Sequence, residues 1–137
     1  MKNVFFSAAT LLLFMLASTA LHAQKTATWK GGAPGRATAW ACAQNWKEGR
    51  VPDEFSNVVI PDVSTASFCQ PVIDGVVEPV NSVTILSGAQ LRIGRSGVLE
   101  ILGWTETVGT GCIDNKGILH TPQKGWEPYN SPMVTNN

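Results

Sequence analysis

One stretch, Val83 to Ile101, constrains the chain more than any other: VTILSGAQLRIGRSGVLEI. It holds three triplets, Val83-Thr84-Ile85, Leu91-Arg92-Ile93 and Leu99-Glu100-Ile101, each starting 8 residues after the last. In each, two apolar residues flank a polar one. That alternation gives every triplet a dry face and a wet face, as in a short half-buried strand. Ser87-Gly88 and Ser96-Gly97 fill the gaps with turn chemistry. Tiny strands at a fixed stride with tight corners predict a winding backbone, each strand on a new face of a prism.

Beyond residue 23 no segment keeps an apolar 3.6-residue period over a dozen positions, so the expected class is all-β. Thr26–Lys30, Asn57–Pro61, Pro71–Ile73, Cys112–Asp114 and Ile118–His120 read as further strands. Gly103–Gly111 reads as a looser insert. A β-sandwich, the alternative, favours strands of about 5–6 residues joined by hairpins. These strands are shorter, and no Asn-Gly or Asp-Gly separates the three triplets. Val58-Val59-Ile60 precedes Val83-Thr84-Ile85 by 25 residues, and Pro71-Val72-Ile73 precedes Leu91-Arg92-Ile93 by 20. Either step suits one coil of a solenoid. The expected fold is therefore a short right-handed parallel β-helix.

Such a spiral needs a lid, because its first coil exposes both apolar core and unpaired strand edges. Residues 24–57 supply one. Trp29, Trp40 and Trp46 fall within 18 residues, among Gly31-Gly32 and Pro34-Gly35. The stretch Thr38–Trp46 reads as a short helical or irregular piece. The coils are expected over 58–121. Residues 122–137 read as an irregular or disordered tail.

Residues 1–23 read as a secretory signal peptide. Lys2 makes the basic start, an apolar run to Leu16 follows, and Leu21-His22-Ala23 offers a small-residue cleavage site. The apolar run is short for a bilayer span, and no second one follows. The expected product is a bacterial chain secreted, displayed at the cell surface or held in the periplasm, with no membrane insertion after cleavage. Removing 23 of 137 residues leaves 114, enough for one domain with a modest core.

Lys and Arg together number 10, as do Asp and Glu, and the leader takes only Lys2. The signs are scattered along the chain. Such a balance offers no footprint for nucleic acid. Export permits disulfides among Cys42, Cys69 and Cys112. Cys42–Cys69 is the favoured pairing, since both lie in the loop-rich half where a staple helps most. It would add about 3 kcal/mol if unstrained. Cys112, at a strand start, reads as a small apolar filler. Three free thiols are the alternative. Zinc is not expected, because no C-x-x-C occurs and His120 is the one histidine after the leader.

Five words in order now form a pattern: Thr28-Trp29-Lys30-Gly31, Ala43-Gln44-Asn45-Trp46, Val51-Pro52-Asp53, Asn57-Val58-Val59-Ile60-Pro61 and Pro71-Val72-Ile73. Gly88-Ala89-Gln90-Leu91 and Gly97-Val98-Leu99 continue it. Over residues 28–119 the chain resembles the opening module of parallel β-helix surface proteins exported by Gram-negative bacteria, the adhesin-like and pectin-lyase-like repeat proteins. The resemblance implies a β-helix at the cell surface. In that family many more coils and a C-terminal sorting domain usually follow. Neither is evident in this chain, which reads as a stand-alone or truncated copy.

No chemistry stands out. A Ser-His-Asp device would have to use His120, and no Gly-x-Ser-x-Gly elbow accompanies it. The carboxylates Asp62, Asp74, Glu78, Glu100 and Asp114 fall mostly at turns, where Asp is ordinary. A lyase-type site has only Arg92, Arg95, Asp74 and Asp114 to draw on. Asp53, Glu54, Asn57 and Asp62 lack calcium-loop spacing and read as solvated loop. Trp104 and Trp126, with Tyr129 nearby, sit in loops where aromatic rings either stack on sugars or pack on the coil ends. The expectation is a non-catalytic, cofactor-free structural or adhesive module. A small carbohydrate-binding module is second and a polysaccharide lyase remnant third. The expected partners are a surface glycan, another protein, or a second copy joined through open strand edges.

Overall fold

A computed structural model describes residues 23–122 and 134–136. The described chain is nearly all β. Ten strands follow in order: β1 (Lys25–Thr28), β2 (Ser56–Ile60), β3 (Val72–Ile73), β4 (Ser82–Ile85), β5 (Gln90–Ile93), β6 (Val98–Glu100), β7 (Thr105–Thr107), β8 (Cys112–Asn115), β9 (Ile118–His120) and β10 (Val134–Asn136). A 3-10 turn, Ala43–Asn45, is the one helical element among the described residues.

The strands make three sheets, with orders β1-β2-β4-β7, β10-β8-β5-β3 and β6-β9. All the strand pairings in them are parallel. From β4 the chain runs through the first, second and third sheets in turn, then does so again through β7, β8 and β9. The three triplets at 83–101 thus lie in three different sheets. The registers expected from spacing are also present: Val58↔Val83 and Ile60↔Ile85 in the first sheet, Ile73↔Ile93 in the second.

Period-two alternation explains which residues meet. Strands in a sheet lie about 4.8 Å apart, so parallel in-register pairing stacks like on like. Ala27, Val58 and Val83 form one inward column, and Ile60 and Ile85 form the next. Leu91 stands beside Ile113, and Leu99 beside Leu119. Nearly all of these side chains are fully buried. Each branched aliphatic so placed contributes about 1.5–3 kcal/mol of burial free energy.

Corners between sheets need small residues. Gly88 turns from β4 toward β5 with φ of 84°, a conformation that favours glycine. Between the second and third sheets, Gly94, Gly97 and Gly117 approach so closely that a Cβ on Gly117 would strike the carbonyl oxygens of both Gly94 and Gly97.

The indole-rich segment lies against the start of this core. Trp29, Trp40 and Trp46 are 0–1% exposed. Trp46 meets Trp29 and Trp40 edge to face, with centroids 5.1 and 4.8 Å away. The Trp46 Nε1–H donates to the Trp40 carbonyl at 2.9 Å, and the Trp29 Nε1–H to the Cys69 carbonyl at 2.8 Å. Buried Asn45 ties the loop beneath them. Its Oδ1 accepts from the Ala33 amide, and its Nδ2 donates to the carbonyls of Arg36 and Ala39.

Three expectations change. Gly103–Gly111 is not a loose insert, because β7 lies inside it and pairs Val83↔Thr105 and Ile85↔Thr107. Threonines occupy the inward positions there, so the apolar signal is missing although the ladder continues. Within 122–137, residues 134–136 form β10, paired in parallel with β8. Cys42 and Cys69 are not bridged, and all three cysteines are free. Cys42 is buried beside the 3-10 turn that it precedes. The Cys69 thiol instead donates to the Ser67 carbonyl at 3.0 Å, within its own loop. Phe68, at φ of 57°, forms the bend between them.

Candidate functional site

The outer face of the first sheet carries the aromatic candidate. Parallel register aligns Thr26, Asn57 and Ser82 in one column, in which Ser82 is buried. Trp104, immediately before β7, occupies the next place in it, and its carbonyl accepts the Val83 amide at 3.1 Å. Beside it runs the column Thr28, Val59, Thr84 and Glu106.

Asn57 organises the first column. Its Oδ1 accepts from Asn81 Nδ2 at 2.7 Å and from Ser82 Oγ at 2.8 Å, while its Nδ2 donates to Gln24. Trp104 itself is 50% exposed. An exposed aromatic ring can receive an apolar sugar face, while the Asn57 amide and the Ser82 hydroxyl beside it are already bonded to each other. Trp126 and Tyr129 lie outside the described residues.

The lyase-type candidates come together only in part. Arg92 and Asp114 are register partners on the second sheet, with Nε and Oδ2 3.4 Å apart. Asp74 sits at the adjoining corner, against Gly94. Glu100 and His120 are register partners on the third sheet, both exposed. Among the described residues no three of His, Cys, Asp and Glu gather as a metal-binding group.

Of the oxygen-bearing residues that read as solvated loop, Asp53, Asp62 and Asn57 are engaged separately. Asp53 pairs with Lys25 at 2.8 Å and accepts from Ser56 and the Phe55 amide. The Lys25 ammonium is the main cause holding its carboxyl below the usual value. Asp62 accepts the Ser64 amide, which lowers its pKa as well. Asn57 belongs to the ladder already described.

A second feature lies on the tryptophan-rich segment. A depression of about 500 Å³ is lined by Lys30, Gly31, Gly32, Ala33, Pro34, Gln44, Trp46, Lys47 and Gly49. It follows from the antiparallel bridge Trp29↔Trp46. Both indoles point inward, so Lys30 and Lys47, their chain neighbours, are turned out to solvent. Nearby, the Glu48 carboxylate accepts the Thr28 amide at 2.8 Å. Burial pushes that carboxyl upward, but hydrogen bonds chiefly from Thr28 outweigh it and hold the pKa below the ordinary value. The two separated lysines gave no motif, so the sequence reading missed this site. The signal that could have found it is local charge count.

No helix among the described residues is long and apolar enough to cross a membrane. Comparison with protein-family models, with curated proteins and with solved structures gives no match.

Proposed function

We propose that the chain is a right-handed parallel β-helix module of the exported, adhesin-like kind, with a structural or adhesive role and no catalytic one. The observation that carries this reading is the repeated parallel register. Val58 stacks on Val83, Ile73 on Ile93 and Leu99 on Leu119, each across 20–25 residues of chain. A winding backbone makes that pattern naturally, and the buried tryptophans suit its blunt start. Rigid stacked sheets of this kind present flat lateral faces, which serve attachment better than they enclose a reaction.

The test is retention. The chain from Gln24 onward, immobilised on beads, should hold bacterial-surface or host-surface polysaccharide without shortening it. Chain cleavage with release of new ends would overturn the non-catalytic reading. Failure to hold any glycan or cell surface would leave only the structural role.

The half-exposed ring of Trp104 favours a second reading, a small carbohydrate-binding module using the outer face of the first sheet. Trp104→Ala separates the outcomes. Loss of glycan retention with unfolding unchanged supports a site. Loss of folding means that the ring is packing.

A further inference from the structure

We infer that the depression on the tryptophan lid binds an anionic polysaccharide through Lys30 and Lys47. The inference rests on the adhesive reading and names the ligand class and the face that would carry it. Three observations converge on it.

The first is placement. Across the antiparallel bridge Trp29↔Trp46, Lys30 faces Asn45 and Lys47 faces Thr28. The two lysines are therefore diagonal neighbours, at an expected backbone separation of about 7–8 Å. Both line the same depression, whose volume of about 500 Å³ falls in the range of small-ligand sites.

The second is charge. Among the described residues the ion pairs are Lys25–Asp53 and Arg92–Asp114, so neither lysine of the depression has a carboxylate partner. The carboxylate next in sequence, Glu48, is committed to the Thr28 amide. Segregation goes further. Residues 24–57 carry Lys25, Lys30, Arg36, Lys47 and Arg50 against Glu48, Asp53 and Glu54. Residues 58–121 carry six carboxylates against Arg92, Arg95 and Lys116. The chain is near neutral as a whole, yet its lid is basic and its body acidic. Adjacent like charges repel unless an anion bridges them.

The third is rigidity. Trp46, which lines the depression, has its indole locked in the core, and the lining loop is fastened by three hydrogen bonds to Asn45. The Lys30 and Gly31 amides donate to the Asn45 carbonyl, at 2.9 and 3.1 Å. A preformed cleft binds without the cost of ordering itself. The Gln44 amide and the glycine backbone offer neutral partners for sugar hydroxyls beside the two cations. A carboxylated or a sulfated glycan would satisfy this set, and a neutral one would leave both ammoniums unmatched.

Titration calorimetry of the chain from Gln24 onward would use alginate, dextran sulfate and unmodified dextran. The inference expects binding of one or both charged polymers and none of dextran. Which polymer binds tells carboxylate from sulfate. Lys30→Gln with Lys47→Gln should weaken binding about tenfold or more, while Lys116→Gln, on the body, leaves it unchanged. Raising salt should weaken binding further, because these charges are exposed. Equal binding of dextran, equal binding by the double variant, or salt-sensitive self-association in place of glycan binding would each overturn the inference. Glycan retention that survives the double variant but is lost in Trp104→Ala would move the ligand to the first sheet and leave the adhesive reading intact.

Discussion

Trp29 and Trp46 meet edge to face at 83°, across the single antiparallel bridge found among the described residues. Every other pairing runs parallel, so the chain reverses its habit where it closes the core. Removing Trp46 opens that closure. Trp46→Ala should cost about 3–5 kcal/mol, the range for a buried indole, and urea unfolding followed by far-UV circular dichroism measures it.

Asn45 holds one amide and two carbonyls of the lid through its side chain. Asn45→Leu keeps the volume and strands those groups in the interior. The expected loss is about 1–3 kcal/mol, with the lid amides of Ala33 and Gly31 exchanging faster in deuterium-exchange measurements.

Thr105 presents the opposite case. Its Oγ1 is buried and has no hydrogen-bond partner, and its register neighbour is Val83. Thr105→Val keeps the shape and removes the orphan hydroxyl. It should stabilise the chain by about 1 kcal/mol, read as a higher urea midpoint with the slope unchanged.

Gly117→Ala drives a methyl against the carbonyls of Gly94 and Gly97. Backbone must shift to receive it, at about 1–3 kcal/mol. Gly75→Ala is the control, since a Cβ there meets nothing within 4 Å and should be nearly neutral.

Asp53 links stability to pH. Its pKa in the folded chain lies below the ordinary 3.8, chiefly through Lys25. The folded state therefore binds this proton less readily than the unfolded chain does. Its contribution is present above 3.8 and fades as pH falls through the lower, folded value. Both partners are more than a third exposed, so the effect is small and screened by salt. Asp53→Asn should flatten the acid limb of a plot of thermal midpoint against pH.

The parallel-paired core was legible because aliphatics recur at inward positions. The match of Val58-Val59-Ile60 to Val83-Thr84-Ile85 could be read residue for residue from spacing. β7 was hidden because Thr105 and Thr107 carry no apolar contrast, and the strand exists through its ladder to β4. The burial of the three indoles was readable. The Asn45 anchor beneath them was not, since a lone Asn in a loop has no distinguishing neighbours. The disulfide expectation failed on local geometry. Cys69 lies on a bend that turns its thiol to the Ser67 carbonyl, which loop length cannot reveal. The basic lid escaped notice because whole-chain neutrality masks opposite local excesses.

The pairing of strands 20–31 residues apart in sequence has a mechanical consequence. Tension applied to the two ends of such a chain does not shear a whole sheet at once. It peels hydrogen bonds away a few at a time, as tape leaves a surface, releasing a fresh length of slack with every layer. Layers paired this way are expected to yield in small increments under load.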